Sequence, residues 1–212
     1  MWWTIFVVLV IIAAYGAVNV QSGEIRGWIG ALIAVIFLLG LQKFLITQAN
    51  ELREKKLTFF DLIVTSEDNR YSLSRLQIYI WTFWVVIAFV QVAFVTVTFP
   101  AIPTNVAVLL GINGFTSVLS TAMTDTAKLK INKADNPDFF RDIFLDKEGT
   151  LDLSRTQMFV WTLIILVTHM VIFWNWSLSG KHLIPEVDGG LLILMGVSNG
   201  AYLGVKVAAE KK

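Results

Sequence analysis

The chain has 212 residues, a formal net charge of +1, 56% hydrophobic and 16% charged residues, 8 Trp and 15 Phe. That balance belongs to membrane proteins and leaves no basic surface for a nucleic-acid partner. With no Cys and only two histidines, His169 and His182, disulfides, thiolate metal sites and cysteine nucleophiles are excluded. A His-based metal cluster or a Ser-His-Asp constellation has almost no material either, so no catalytic residue, metal ligand or cofactor is assigned and no enzyme is expected.

Taken in chain order, six apolar segments are long enough for a span of ~20 residues: residues 2–20, 28–47, 76–99, 104–123, 156–178 and 189–208. The reading is an all-α integral membrane protein of six transmembrane helices arranged as three hairpins. The first segment lacks the Lys/Arg n-region of a signal peptide and has a longer apolar core, so it reads as a retained helix. The connections alternate in charge. Segment 21–27 carries only Arg26, 100–103 no basic residue and 179–188 only Lys181, whereas 15 of the 17 Lys and Arg residues fall on the other side. By the positive-inside rule both termini and the long connections are cytoplasmic, in a membrane of bacterial inner-membrane type.

The third and fifth segments open alike. Residues 59–82 and 139–162 align at an offset of 80 with nine identities: Phe59/Phe139, Phe60/Phe140, Ile63/Ile143, Leu73/Leu153, Ser74/Ser154, Arg75/Arg155, Gln77/Gln157, Trp81/Trp161 and Thr82/Thr162. This predicts an internal parallel repeat, with an N-terminal hairpin over 1–48, a first repeat over 49–126 and a second over 127–212. Both copies start on the same face, so an even number of crossings separates them. Span four must then be a full crossing, and the pseudo-axis lies along the membrane normal.

Within the repeated LSRxQ, Ser74 with Gln77, and Ser154 with Gln157, match an S-x-x-Q capping box. Leu73/Ile78 and Leu153/Met158 match its hydrophobic staple, which makes these residues helix caps at the membrane entrance. Arg75 and Arg155 would stand at N1, where the helix dipole disfavours a cation. A lipid phosphate, a snorkelling position in the interface, or a carboxylate such as Asp61, Asp68, Asp142 or Asp146 would have to hold them. Trp81 and Trp161, six residues on, suit a lipid headgroup boundary or contact with a partner repeat. Asn136-Pro137-Asp138 reads as a helix start with Pro near N1, opening an amphipathic FFRDIF turn. Asp146, Glu148 and Asp152 lack the glycine position and the bidentate Glu of a calcium loop.

Span six carries Gly196-x3-Gly200-x3-Gly204, and span four places Gly111, Gly114 and Ser117 on one side with Ala107 and Thr121. Such stripes let helices approach closely, or line a narrow pore. Gln91, Asn113, Thr116, Ser117, Ser120, His169, Asn175, Ser198 and Asn199 are the polar residues of the spans. Asn113 and Asn199 occupy nearly matching places in the two copies, as interhelical glue or as pore lining. No Asp or Glu lies deep in a span, which counts against proton-coupled transport. Two functions follow. One is an oligomeric ion channel or pore with Gly/Asn/Ser-containing helices near its centre. The other is a non-conducting membrane scaffold or effector subunit whose cytoplasmic segments dock a partner protein or anionic lipid. The partners expected are membrane lipids, further copies of the chain and a cytoplasmic protein.

Overall fold

A chain this apolar must satisfy its backbone polar groups internally, and helices do so within one segment. The computed structural model takes that solution. It describes residues 2–51, 71–126, 138–145 and 149–210, which form α1 (Trp2–Val18), α2 (Gly23–Glu51), α3 (Leu73–Thr96), α4 (Thr104–Thr126), α5 (Phe139–Phe144), α6 (Leu153–Leu178) and α7 (Gly189–Glu210). Of these, α2, α3 and α6 are long and apolar enough to cross a membrane. The apolar stretches of α1, α4 and α7 are shorter, Thr4–Val18, Thr104–Leu119 and Gly189–Ala201. The amides, hydroxyls and glycines of α4 and α7 dilute their hydropathy relative to the Val, Ile, Phe and Trp runs of α3 and α6. Residues 59–63, Asp61, Asp68 and Asp146 lie outside the described residues.

The helices fall into two compact units: Met1–Phe59, Thr82–Pro103 and Met170–Pro185 form the first, and Phe60–Trp81, Thr104–His169 and Glu186–Lys212 the second. In the first, α1 packs along α2. The glycines of α2 make the packing possible. A Cβ on Gly30 would stand 2.6 Å from Cγ of Phe94, one on Gly27 would collide with Val95, and one on Gly40 would collide with the Phe6 ring. Close backbone approach is the usual basis of helix association in lipid, where apolar burial adds no driving force. Arg26 then closes the end of α3: Nε donates to Phe94 O at 2.6 Å, Nη2 to Val95 O at 2.8 Å and Nη1 to Val20 O at 3.4 Å. A guanidinium on the last carbonyls meets both their unpaired acceptors and the negative end of the dipole. Trp28 packs on Trp174, ring centroids 4.7 Å apart, and Trp84 meets Phe173 edge-on at 5.4 Å.

In the second unit α4 packs along α7. The starts of α3 and α6 enclose Leu73, Leu76, Ile143 and Met158, with Tyr71, Ile80, Phe139, Phe144, Phe159 and Leu203 around them. Ile143, from the short helix α5, is fully buried there. A six-residue helix is marginal alone, so its tertiary contacts hold it.

Candidate functional site

The starts of α3 and α6 are organised around two aspartates that the repeat motif does not contain. α6 begins at Leu153, so Asp152 is its N-cap, two residues earlier than the box on Ser154 and Gln157 implies. Its Oδ1 accepts from the backbone N–H of Ser154 at 3.0 Å and of Arg155 at 3.2 Å, and from Ser154 Oγ at 2.6 Å. In α3 the same position is Ser72, whose Oγ lies 3.1 Å from that of Ser74. Ser74, Gln77, Ser154 and Gln157 are therefore interior residues of the first turns and not caps. The physical reason is that Asp or Ser immediately before the helix reaches the N2 and N3 amides from outside, whereas a Ser at N2 cannot.

The same shift places Arg75 and Arg155 at N3 rather than N1. Arg155 is held from within the chain. Its Nε pairs with Asp152 at 3.0 Å, and its Nη1 donates to the carbonyls of Asp142 at 2.9 Å and Leu145 at 3.0 Å, the last turn of α5. Arg75 is half-buried. Asp142, 7% exposed, binds the other end of the knot. Its Oδ2 accepts from the N–H of Tyr71 and of Asp138, each at 3.2 Å, and its Oδ1 pairs with Arg141 Nε at 3.4 Å. Asp138 caps α5 through Arg141 N–H at 2.9 Å, and the Asn136-Pro137 start expected before it lies outside the described residues. Asp152 N–H returns to Phe144 O at 2.8 Å beside an isolated antiparallel bridge between Leu145 and Leu151. Gly149 supplies a left-handed φ of +80° in that turn, a conformation glycine adopts without penalty. α5 thereby ties the entrance of α3 to the entrance of α6.

Above the knot α3 and α6 meet through polar groups. Gln77, 1% exposed, donates through Nε2 to Met158 O at 3.5 Å and to the hydroxyl of Thr162. Thr162 donates to Met158 O at 2.8 Å, and its hydroxyl lies 4.0 Å from Met195 Sδ on α7. Trp81, fully buried, stands edge-on to His169 with centroids 6.1 Å apart. Its contact on α6 thus lies seven residues beyond the Thr162 that ends the second motif, while Trp161 is half-buried. The contacts advance together along both helices, so α3 and α6 run parallel here.

Asn113 (0% exposed), Ser198 (1%) and Asn199 (2%) are buried as well. Asn199 Nδ2 donates to Met195 O at 3.0 Å. Both side-chain polar atoms of Asn113, Ser198 Oγ, Asn199 Oδ1, Gln77 Oε1 and Trp81 Nε1 are buried without a hydrogen-bond partner among the described residues. Ser117 is half-buried. The glycines of α4 and α7 have space around them. A Cβ on Gly111, Gly196, Gly200 or Gly204 would meet nothing within 4 Å, and one on Gly114 would only touch Ile78 at 3.5 Å. Among the described residues, then, Gly111, Gly196, Gly200 and Gly204 are not points of close helix contact, and Gly111, Gly200 and Gly204 are exposed.

The sequence pattern named Thr162 and Met158 as parts of the repeat, Asp142 as a partner for an arginine and Arg26 as a lone basic residue, but not the contacts they make, and it did not assign Asp152 as a cap. For Asp152 and Asp142 the signal was available, since each is a carboxylate within a turn of a helix start. No family model, curated protein or solved structure matches this chain.

Proposed function

We propose that the chain is an integral membrane protein of six crossings and two parallel repeats, with both termini cytoplasmic in a bacterial-type inner membrane, and that it forms an oligomeric pore. One observation carries the pore reading. Gln77, Asn113, Ser198 and Asn199 are buried, and each has a side-chain atom with no hydrogen-bond partner among the described residues. Leaving such an atom unsatisfied in hydrocarbon costs on the order of several kcal/mol. Water, or a solute that sheds part of its hydration, supplies the missing bonds and makes this interior the wet part of the molecule. The interior of α3, α4, α6 and α7 is then the lining, reached through amides and hydroxyls with no carboxylate among them, a chemistry that suits passage without proton coupling.

The test is Asn113→Ala and Asn199→Ala in protein reconstituted into loaded liposomes. Flux or selectivity changes several-fold while the elution volume in detergent stays that of the parent. Unchanged flux with unchanged assembly would remove these residues from the lining and the reading with it.

A second reading rests on a separate observation. Beside the knot, Phe140, Leu151 and Leu153 are 73%, 64% and 74% exposed, next to Arg141, whose side chain is 51% exposed. An apolar patch with a cation suits an anionic lipid surface or a docked cytoplasmic protein. A parent chain that carries no flux but binds vesicles or a partner through Phe140 would favour this scaffold.

A further inference from the structure

The two copies of the LSRxQ-x3-WT motif meet each other, but not through the same face. α3 buries Leu73 (3% exposed), Ser74 (1%), Gln77 (1%) and Trp81 (0%). α6 buries Met158 (0%), Thr162 (2%), Ile165 (1%) and His169 (3%). In motif terms, the Gln position of the first copy donates to the Thr position of the second. Those two positions are five residues apart, about 140° round a helix at ~100° per residue. A two-fold arrangement would also join Gln157 to Thr82. Instead Leu153 is 74% exposed, and Gln157 and Thr82 are both exposed. The contact is head-to-tail, and it leaves one head and one tail on the surface of every chain.

We infer that a second copy of this chain completes the pattern, the Gln157 face of α6 in one copy seating against the Thr82 face of α3 in the next. The occupant follows from the interface already present inside the chain. The exposed faces carry Leu153 and Gln157 on one side and Thr82 on the other, the repeat counterparts of Leu73, Gln77 and Thr162. A Gln side chain turned to hydrocarbon leaves its amide unpaired, and the neighbouring Thr hydroxyl and helix carbonyl relieve that in the way seen for Gln77. Head-to-tail contacts close into a ring when the rotation divides a full turn, so each copy contributes two motif helices to a cyclic wall. The inference rests on the oligomer of the preceding section and not on conduction.

Because the chain has no Cys, the arrangement is testable by crosslinking in native membranes. Gln77→Cys/Thr162→Cys should crosslink within one chain and leave its apparent mass that of a monomer. Gln157→Cys/Thr82→Cys should give a ladder ending at a closed oligomer. Thr82→Cys co-expressed with Gln157→Cys should give dimers only, while each single variant alone gives none. Size exclusion of the uncrosslinked variants establishes that they assemble like the parent. A Gln157→Cys chain that crosslinks to itself would overturn the head-to-tail contact. So would an oligomer of unchanged size in which the Gln157/Thr82 pair does not crosslink, or a chain that is monomeric throughout. Flux is not read in this experiment, so its failure is separate from failure of the pore.

Discussion

Asp152 accepts from two backbone amides and pairs with Arg155, whose remaining donors reach the end of α5. One carboxylate thus sets where α6 begins and links it to the preceding turn. Asp152→Ala should lower stability by about 1–2 kcal/mol through loss of the cap and its ion pair, while Ser154→Ala should change it by no more than a few tenths. Thermal unfolding in detergent checks both, and the reverse order would restore the cap to Ser154. Sequence pattern came within two residues of this site, and the reason for the error is specific. The S-x-x-Q spacing is genuine, but a residue with a short polar side chain stands before each copy, at Ser72 and Asp152, and competes for the same amides. Arg155 was recognisable as anomalous near a helix N-terminus. Its partners were not, because a carbonyl leaves no mark in a sequence.

At the scale of helices, small residues do two different jobs that spacing cannot separate. Gly27, Gly30 and Gly40 of α2 sit where a Cβ would strike Val95, Phe94 or Phe6, whereas the equally regular Gly196, Gly200 and Gly204 of α7 face open space. Gly30→Ala should therefore cost about 1–3 kcal/mol through overpacking. In contrast, Gly200→Ala should leave the single chain's stability the same or raise it by up to about 1 kcal/mol, since alanine is the better helix former. Denaturant titration of the two variants in micelles decides the matter; equal losses would mean that α7 packs through its glycines within the chain. The helices themselves were legible, because their apolar runs and the Pro100–Pro103 and Ser179–Asp188 breaks leave little choice. The ends were less so: α2 runs from Gly23 to Glu51, beyond both limits of its apolar core at 28–47. The partner of each face is a long-range fact, and one sequence holds no record of it.

For the whole molecule, the polar residues divide into those the chain satisfies and those it does not. Among the described residues, Gln77 makes two bonds through its Nε2 and Asn199 one, each with its amide oxygen unpaired, and Asn113 makes none. Sequence placed Asn113 and Asn199 in matching helices with no carboxylate nearby, and left open whether they are glue or lining. Their burial agrees with glue, yet their unsatisfied atoms do not, since an amide kept for interhelical bonding should have its bonds. A wet interior accounts for both. Recording from the purified chain in a planar bilayer tests that account most directly. Discrete conductance steps, abolished or resized by Asn113→Leu in protein that still assembles, are the expected result. A silent bilayer across a wide range of voltage and pH, with the oligomer intact, would contradict it.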